Sequence, residues 1–236
     1  SSRPFNIPES LRVLGEIYGD CCIFSIGNGR GPVFLGASPE RLLSIQSSEN
    51  QRLLTTDALA GSAERGEDTT GDQDIAQRLL DNPKERYEHQ IVVDFILKQL
   101  KQFGLEPVST SVPQLLRLAN IQHLHTPIQA QLPQDLPALA LVQSLHPTPA
   151  VAGLPRPTAS QLIQTTESFD RALYASPLGW IDANGNSEFI VGIRSALIDQ
   201  CRARLFAGAG IMAQSDPGRE LAEVKLKLQA LLGTLV

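Results

Sequence analysis

The stretch LGWIDANGNSEFIVGIRSALIDQCRARLF, residues 178–206, decides the fold class of this chain. It predicts two strands, Leu178–Asp182 and Phe189–Ile198, joined by the turn signal Ala183-Asn184-Gly185-Asn186. A third strand, Arg202–Phe206, is expected to pair next. Since no helical pattern separates these strands, the stretch predicts an antiparallel sheet and not alternating βαβ units.

Two further hairpins are predicted towards the start of the chain. Cys21–Ser25 and Val33–Gly36 flank a glycine-rich spacer, and a polar spacer, Ser47–Gln51, separates Leu42–Gln46 from Arg52–Thr55. The first third of the chain therefore reads as antiparallel strands.

Helices are predicted elsewhere in the chain. Asp72–Phe103 reads as helix with a break near Asn82-Pro83, and a last helix covers Pro217–Leu232. Nine of the 16 prolines lie between Pro107 and Pro157, which predicts a loop-rich segment with one short helix at Asp135–Leu145. Because strands and helices are segregated, the predicted class is α+β with a mainly antiparallel sheet.

Composition narrows the kind of protein. The chain has 236 residues, 42% of them apolar and 19% charged, with a net charge of -5, as in ordinary folded proteins. The absence of a Lys/Arg-rich run argues against nucleic acid or an anionic membrane as partner. Three cysteines, two of them adjacent, make neither a disulfide framework nor a metal site, so a reducing, cytosol-like compartment is expected.

The helix from Pro83 carries a carboxylate where apolar residues are expected. On a helical wheel, Glu88 falls in the middle of the arc formed by Ile91, Val92, Phe95 and Ile96. A buried carboxylate must be neutralised, paired or metal-bound. Fraying of the first turn, an arginine partner and a metal ion all remain open at this point.

The last helix repeats this pattern along one border of its apolar face. Glu220, Glu223 and Lys227 form a stripe, which is typical of an ordinary ion pair between Glu223 and Lys227. The alternative is a second set of carboxylates directed at the same cation as Glu88. Ligands that offer only carboxylate oxygens suit Mg²⁺ better than Zn²⁺.

An arginine interrupts the apolar alternation of Glu188–Ile198. Both faces of that predicted strand look buried, so Arg194 needs a fixed anion, either a protein carboxylate or a substrate carboxylate. Gly208 and Gly210 follow the next strand, where glycine lets backbone N–H groups approach an anion closely. A Gly-Ala-Gly bend is equally an ordinary turn.

Several motifs together resemble the chorismate-utilising, or chorismate-binding, enzymes and within them the isochorismate synthases. In family order they are GASPERLL (36–43), ALAGSAERG (58–66), ERYEH (85–89), LHPTPAVAGLP (145–155), FDR (169–171), GW (179–180), IR (193–194), FAGAGI (206–211) and ELAE (220–223), with Lys227 after them. The resemblance implies an α/β sandwich with a mainly antiparallel sheet and flanking helices. It covers residues 1–236 as one partial chorismate-binding domain that lacks its N-terminal strands.

The resemblance also implies a ligand set. Glu88 and Glu223 match the family's Mg²⁺-binding glutamates, and Glu85 and Glu220 match supporting acidic positions. The metal would clamp the ring carboxylate of chorismate. The positions implied to line the substrate site are Ala60, Gly61 and Ser62 near the metal, His123 beside the ring carboxylate, Ala150 and Val151, and Arg194, Gly208 and Lys227 on the enolpyruvyl carboxylate.

The implied chemistry adds water at C2 of chorismate while the C4 hydroxyl leaves. Hydroxide is a poor leaving group, so a general acid must protonate it, and Glu40 matches that acid. Its pKa must then be raised by burial. The family's general base is a lysine on an earlier strand, expected just before residue 1, and no lysine precedes Lys84 in this chain.

Other products remain open within the resemblance. The Pro149-Ala150-Val151 stretch looks like the isochorismate-forming branch; salicylate synthases often carry threonine at Ala150, and anthranilate and aminodeoxychorismate synthases carry a Gly-Thr-Val-type sequence there. Without its base, the chain could also be a non-catalytic chorismate-binding fragment. A cytoplasmic location is expected, with a plastid as the alternative, and menaquinone, siderophore and salicylate routes all begin with isochorismate.

Overall fold

The computed structural model describes residues 3–48 and 51–236. Its helices are α1 (Ile7–Ile17), α2 (Thr69–Asp81), α3 (Pro83–Gln102), α4 (Ala138–Leu145), α5 (Pro149–Ala152), α6 (Arg156–Thr166) and α7 (Pro217–Leu232). Its strands are β1 (Cys22–Ile26), β2 (Val33–Ser38), β3 (Arg41–Ser47), β4 (Arg52–Glu64), β5 (Val108–Ser109), β6 (Gln114–Arg117), β7 (Ile121–Gln131), β8 (Pro177–Ile181), β9 (Ser187–Val191), β10 (Ser195–Asp199) and β11 (Arg202–Phe206).

The strands form two sheets, and every pairing in both is antiparallel. The small sheet has the order β1-β2-β10-β11. The large sheet has the order β5-β7-β4-β3-β9-β8, and β6 also pairs with β7. Antiparallel sheets with separate helices confirm the α+β class.

Each sheet buries one face against helices. Apolar side chains of the large sheet, such as Leu54 and Ile128, pack with Ile96 of α3 and Leu141 of α4. A second core joins the small sheet to α1 and to Leu231 of α7. None of the helices in the described ranges combines the length and apolarity needed to cross a bilayer.

All three predicted hairpins are confirmed. β1 pairs with β2, β3 with β4, and β8 with β9. In the last hairpin the Asp182 carboxylate accepts hydrogen bonds from the backbone N–H groups of Asn184 and Asn186, and Gly185 adopts φ +83°. Glu49 and Asn50, within the predicted spacer of the second hairpin, lie outside the described residues.

The predicted helices are confirmed, including the break before Pro83. The Asn82 side chain accepts from the backbone N–H groups of Lys84 and Glu85, and Asp216 caps α7 in the same way. α1 was not predicted, because the first third was assigned to strands only. An Asn6 cap followed by Pro8 starts it.

The prediction that Pro107–Pro157 is mainly loop is wrong. This segment contains the 11-residue strand β7, which lies inside the large sheet. On the other side of β7 from β4, β6 pairs with residues 122–125 and β5 with residues 128–129, so neither of these strands pairs with Pro127. The short helix predicted at the end of this segment is confirmed as α4.

The prediction of one continuous strand over Phe189–Ile198 is also wrong. β9 belongs to the large sheet and β10 to the small sheet, and the chain changes sheet at residues 192–194, where Arg194 adopts φ +50°. The predicted alternation therefore does not continue through Arg194. The neighbouring chain segment from β2 to β3 changes sheet at the same place, since Ala37 N–H donates to the Arg194 carbonyl and Val191 N–H to the Glu40 carbonyl.

Candidate active site

The two places where the chain changes sheet bring one acidic and one positively charged side chain to the same cavity. Glu40 lies between β2 and β3, and Arg194 lies between β9 and β10. Of the predicted site residues, the cavity is lined by Glu40, Ala60, Gly61, Ser62, Glu88, His123, Ala150, Val151, Arg194, Gly208, Glu223 and Lys227. Glu85 and Glu220 do not line it, but they contact the same group of charges as Glu88.

Arg194 is buried, and none of the described residues provides it with an acidic partner. Its side chain donates from Nη2 to Nε2 of His123 at 2.6 Å, and among the described residues it forms no ion pair with Asp or Glu. Burial lowers the pKa of Arg194, and Glu223 attracts it only at longer range. The protein carboxylate considered as its partner is thus not found, and a buried guanidinium of this kind calls for an anionic ligand.

The contact with Arg194 fixes the proton of His123. A guanidinium can only donate, so Nε2 of His123 accepts and Nδ1 carries the hydrogen. Burial, Arg194 and Lys227 hold the pKa of His123 well below its usual value, so the ring stays neutral. Nδ1 lies 2.9 Å from Oγ of Ser62, which accepts and keeps its own hydroxyl hydrogen free for a ligand.

The acidic residues of α3 and α7 meet around one lysine. Nζ of Lys84 lies 3.1 Å from a carboxylate oxygen of each of Glu85, Glu88 and Glu220. Burial raises the pKa of Glu88, and Lys84 opposes that shift. Glu88 is therefore ion-paired, but to a lysine of its own helix and not to the arginine considered from the sequence. We call Glu85, Glu88 and Glu220 the carboxylate cluster.

Glu223 and Lys227 form a second pair at the cavity. Nζ of Lys227 lies 2.6 Å from Oε1 of Glu223 and donates to the Gly208 carbonyl at 2.9 Å. The ordinary ion pair considered for these two residues is present. It does not exclude ligand contacts, because both side chains also line the cavity.

The donor set fits a hard divalent cation. It consists of carboxylate oxygens, and three anionic groups in the cluster face a single ammonium. Gly210 leaves room beside them, since a Cβ there would lie 2.0 Å from Oε1 of Glu88. In this conformation no three His, Cys, Asp or Glu side chains of the described residues are arranged as a metal site, and the ammonium of Lys84 lies between the three carboxylates of the cluster.

Glu40 has the properties that a general acid needs. Its side chain is only 4% exposed, and burial raises its pKa from the ordinary 4.5 to about 7. The Thr148 hydroxyl lies 3.4 Å from Oε1, and Lys227 and Arg194 attract the ionised form. A large fraction of Glu40 is therefore protonated near pH 7.

We expect Glu40→Gln to change how stability depends on pH. The folded pKa is raised, so the protonated carboxyl favours folding below about pH 4.5, and this contribution is lost as pH rises through 7. Glutamine resembles the neutral acid and carries no such loss. Thermal unfolding should therefore show similar stability for both proteins at about pH 4 and an advantage of roughly 3 kcal/mol at most for Glu40→Gln at pH 8.

The matched control is Glu106→Gln, which changes an exposed carboxylate. Its stability should follow the wild type across the same pH range. Parallel curves for Glu40→Gln and the wild type would show that Glu40 titrates normally.

Among the lining residues that sequence reasoning did not assign to the site are Tyr174 and Arg171. Tyr174 stacks on Phe206 with ring centroids 5.3 Å apart, and burial raises its pKa to about 12, so its hydroxyl stays protonated. A Cβ at Gly208 would lie 2.9 Å from that hydroxyl, so a larger residue there would have to displace the Tyr174 ring. Arg171 also lines the cavity and is ion-paired with Glu167. Arg171 belongs to the FDR motif, and Tyr174 follows three residues later without a signal of its own.

One family model covers all of the site residues described above. The family model described as chorismate binding enzyme matches residues 1–236. The chain belongs to the chorismate binding enzyme family. The match extends over the whole chain, so it includes the segments that supply Glu40, Arg194 and the carboxylate cluster.

Two curated relatives of this chain are isochorismate synthases. The chain is 44% identical over 229 residues to the salicylate biosynthesis isochorismate synthase of Pseudomonas aeruginosa, covering 97% of this chain and 46% of that protein. It is 38% identical to isochorismate synthase MenF of Bacillus subtilis, covering 98% of this chain and 48% of that protein. The chain thus spans about half the length of these relatives.

Solved structures of the family have the same fold. The menaquinone-specific isochorismate synthase MenF of Escherichia coli superimposes with a TM-score of 0.87 at 34% identity, over 99% of this chain and 53% of that one. Anthranilate synthase component I of Streptococcus pneumoniae gives a TM-score of 0.80 at 24% identity, over 96% and 49%. The second likeness concerns the fold only.

Proposed function

We propose that this protein converts chorismate to isochorismate in a Mg²⁺-dependent reaction. The observation that carries the proposal is that Arg194, buried without an acidic partner among the described residues, lines the same cavity as Glu88 and Glu223. Chorismate has two carboxylates. One would meet Arg194 and Lys227, and Mg²⁺ held by Glu88 and Glu223 would neutralise the other.

Each side chain has a role in this proposal. Arg194 binds the enolpyruvyl carboxylate and orients the arm, helped by Lys227 from α7. His123 and Ser62 lie on the side of the ring carboxylate, where the free hydroxyl hydrogen of Ser62 can be donated. Glu40 donates its proton to the C4 oxygen as the hydroxyl leaves, which its raised pKa allows near neutral pH.

The choice of product rests on two observations. Ala150 and Val151 of α5 present apolar side chains to the cavity, as expected for the isochorismate-forming branch. The relatives described above are named isochorismate synthases. These observations favour isochorismate over salicylate, anthranilate or aminodeoxychorismate.

The general base stays a prediction. Lys227 lines the cavity, but its ammonium is bound to Glu223 and Gly208, so it does not suit activation of water. The cytoplasmic location and the route that uses the product also stay predictions.

Product analysis tests the proposed function. The protein is incubated with chorismate and Mg²⁺, and the products are separated by chromatography beside a sample that contains a chelator. We expect isochorismate only with Mg²⁺. Salicylate, or anthranilate when ammonia is present, would contradict the choice of product. No product from a folded protein that binds chorismate would favour a binding role without turnover.

A further inference from the structure

We infer that Lys84 is a built-in cation that holds the carboxylate cluster together without metal, and that a divalent cation must displace it to bind. The inference rests on the proposed function, since it concerns the same metal. Lys84 would thus stabilise the metal-free protein and, by the same contacts, lower its affinity for the metal. The resemblance assigns no such role to this position.

The geometry around Lys84 indicates a site for a cation and not an exposed surface ion pair. Nζ of Lys84 is equidistant, at 3.1 Å, from oxygens of Glu85, Glu88 and Glu220. The Lys84 side chain is 17% exposed, and those of the three glutamates are less exposed still. Glu220 belongs to α7, so the ammonium also joins that helix to α3.

The charges explain why the position must be filled. Three carboxylates around one ammonium leave an excess of two negative charges, and removal of Lys84 would leave three like charges in a half-buried place. The ammonium already fills the space between the three carboxylates, so it competes with an incoming cation for their oxygens.

Lysine suits a cation that has to leave. Its charge is carried by a flexible four-carbon chain, so the ammonium can move away while α3 stays in place. The two other contacts at this end of the site do not depend on Lys84: the Ser62 N–H donates to Oε2 of Glu85, and Lys227 holds Glu223. Glu85 and Glu223 would thus keep a partner when a metal replaces the ammonium.

The test measures Mg²⁺ binding by calorimetry, without chorismate, for the wild type, Lys84→Met and Lys84→Arg. We expect Lys84→Met to bind Mg²⁺ at least about ten-fold more tightly than the wild type, because no ammonium competes. Lys84→Arg keeps a cation and should remain as weak as the wild type. Lys98→Met, an exposed lysine on the same helix, is the matched control and should not change the affinity.

Thermal unfolding provides the second readout. In a chelator, Lys84→Met should unfold at a lower temperature than the wild type, and millimolar Mg²⁺ should restore it. Unchanged or weaker Mg²⁺ binding by Lys84→Met, or a variant that Mg²⁺ does not stabilise, would overturn the inference.

A further variant separates this inference from the proposed metal site. Glu88→Gln should abolish Mg²⁺ binding if the carboxylates are the ligands. Wild-type Mg²⁺ affinity in Glu88→Gln would place the metal elsewhere and overturn both proposals. Loss of binding in Glu88→Gln, together with unchanged affinity in Lys84→Met, would overturn the role of Lys84 only.

Discussion

Arg194→Met should weaken chorismate binding at least about 100-fold, because it leaves one ligand carboxylate buried without a partner. The ligand-free protein should be no less stable than the wild type. In the wild type, Arg194 is 5% exposed, and its guanidinium has only the neutral His123 as a hydrogen-bond partner among the described side chains. Burial of this charge therefore costs free energy that methionine avoids. Calorimetric titration with chorismate and thermal unfolding without ligand measure the two effects.

Arg204→Met is the matched control, since it removes an exposed arginine from β11. It should bind chorismate as the wild type does. If Arg194→Met bound chorismate with wild-type affinity, the anion site would not be at Arg194. A large loss of stability in the ligand-free variant would show that Arg194 acts as a structural residue.

Glu40→Gln should slow turnover about 10²- to 10⁴-fold while chorismate binding stays nearly unchanged. The amide has the shape of the protonated carboxyl but cannot give a proton to the departing C4 oxygen. Steady-state kinetics with product detection measure kcat, and calorimetry measures the affinity for chorismate. The effect should appear in kcat, because the lost interaction belongs to the transition state.

Glu106→Gln, the exposed substitution, again serves as the control. Equal kcat values for Glu40→Gln and the wild type would exclude Glu40 as the acid. A fall in affinity that matches the fall in kcat/KM would instead indicate that Glu40 contributes to binding.

Elements with strong local signals could be predicted from the sequence. The Asn82-Pro83 break, the last helix and the hairpin around Asn184-Gly185 each depend on residues close together in the chain. β7 could not be predicted in this way. β7 is held by its pairing with β4, which precedes it by about 60 residues. Its Pro127 lies at a position that neither β5 nor β6 pairs with.

The change of sheet at Arg194 could not be predicted from the residues around it. Apolar residues continue on both sides, so the pattern predicts one strand, and only the positive φ of Arg194 and its contacts with β2 reveal the break. Local periodicity carries no information about a strand that leaves one sheet for another. The need of Arg194 for an anion was nevertheless predicted from its apolar surroundings.

Some residues of the candidate site could likewise be predicted from the local sequence, and others could not. Glu88 and Arg194 could be singled out because each is a charge in an apolar pattern. Glu40 needed the family resemblance, since its burial is created by chain segments far apart in the sequence. Lys84 was missed because it looks like an ordinary partner of Glu88 one turn away, and only the packing of α7 brings Glu220 to it.

The most direct measurement is a calorimetric titration of the protein with chorismate, performed once with Mg²⁺ and once with a chelator. Saturable binding of one chorismate per chain, clearly tighter with Mg²⁺, is the predicted result. A folded protein that binds no chorismate, or binds it equally with and without Mg²⁺, would contradict the account of this cavity as a metal-assisted dicarboxylate site.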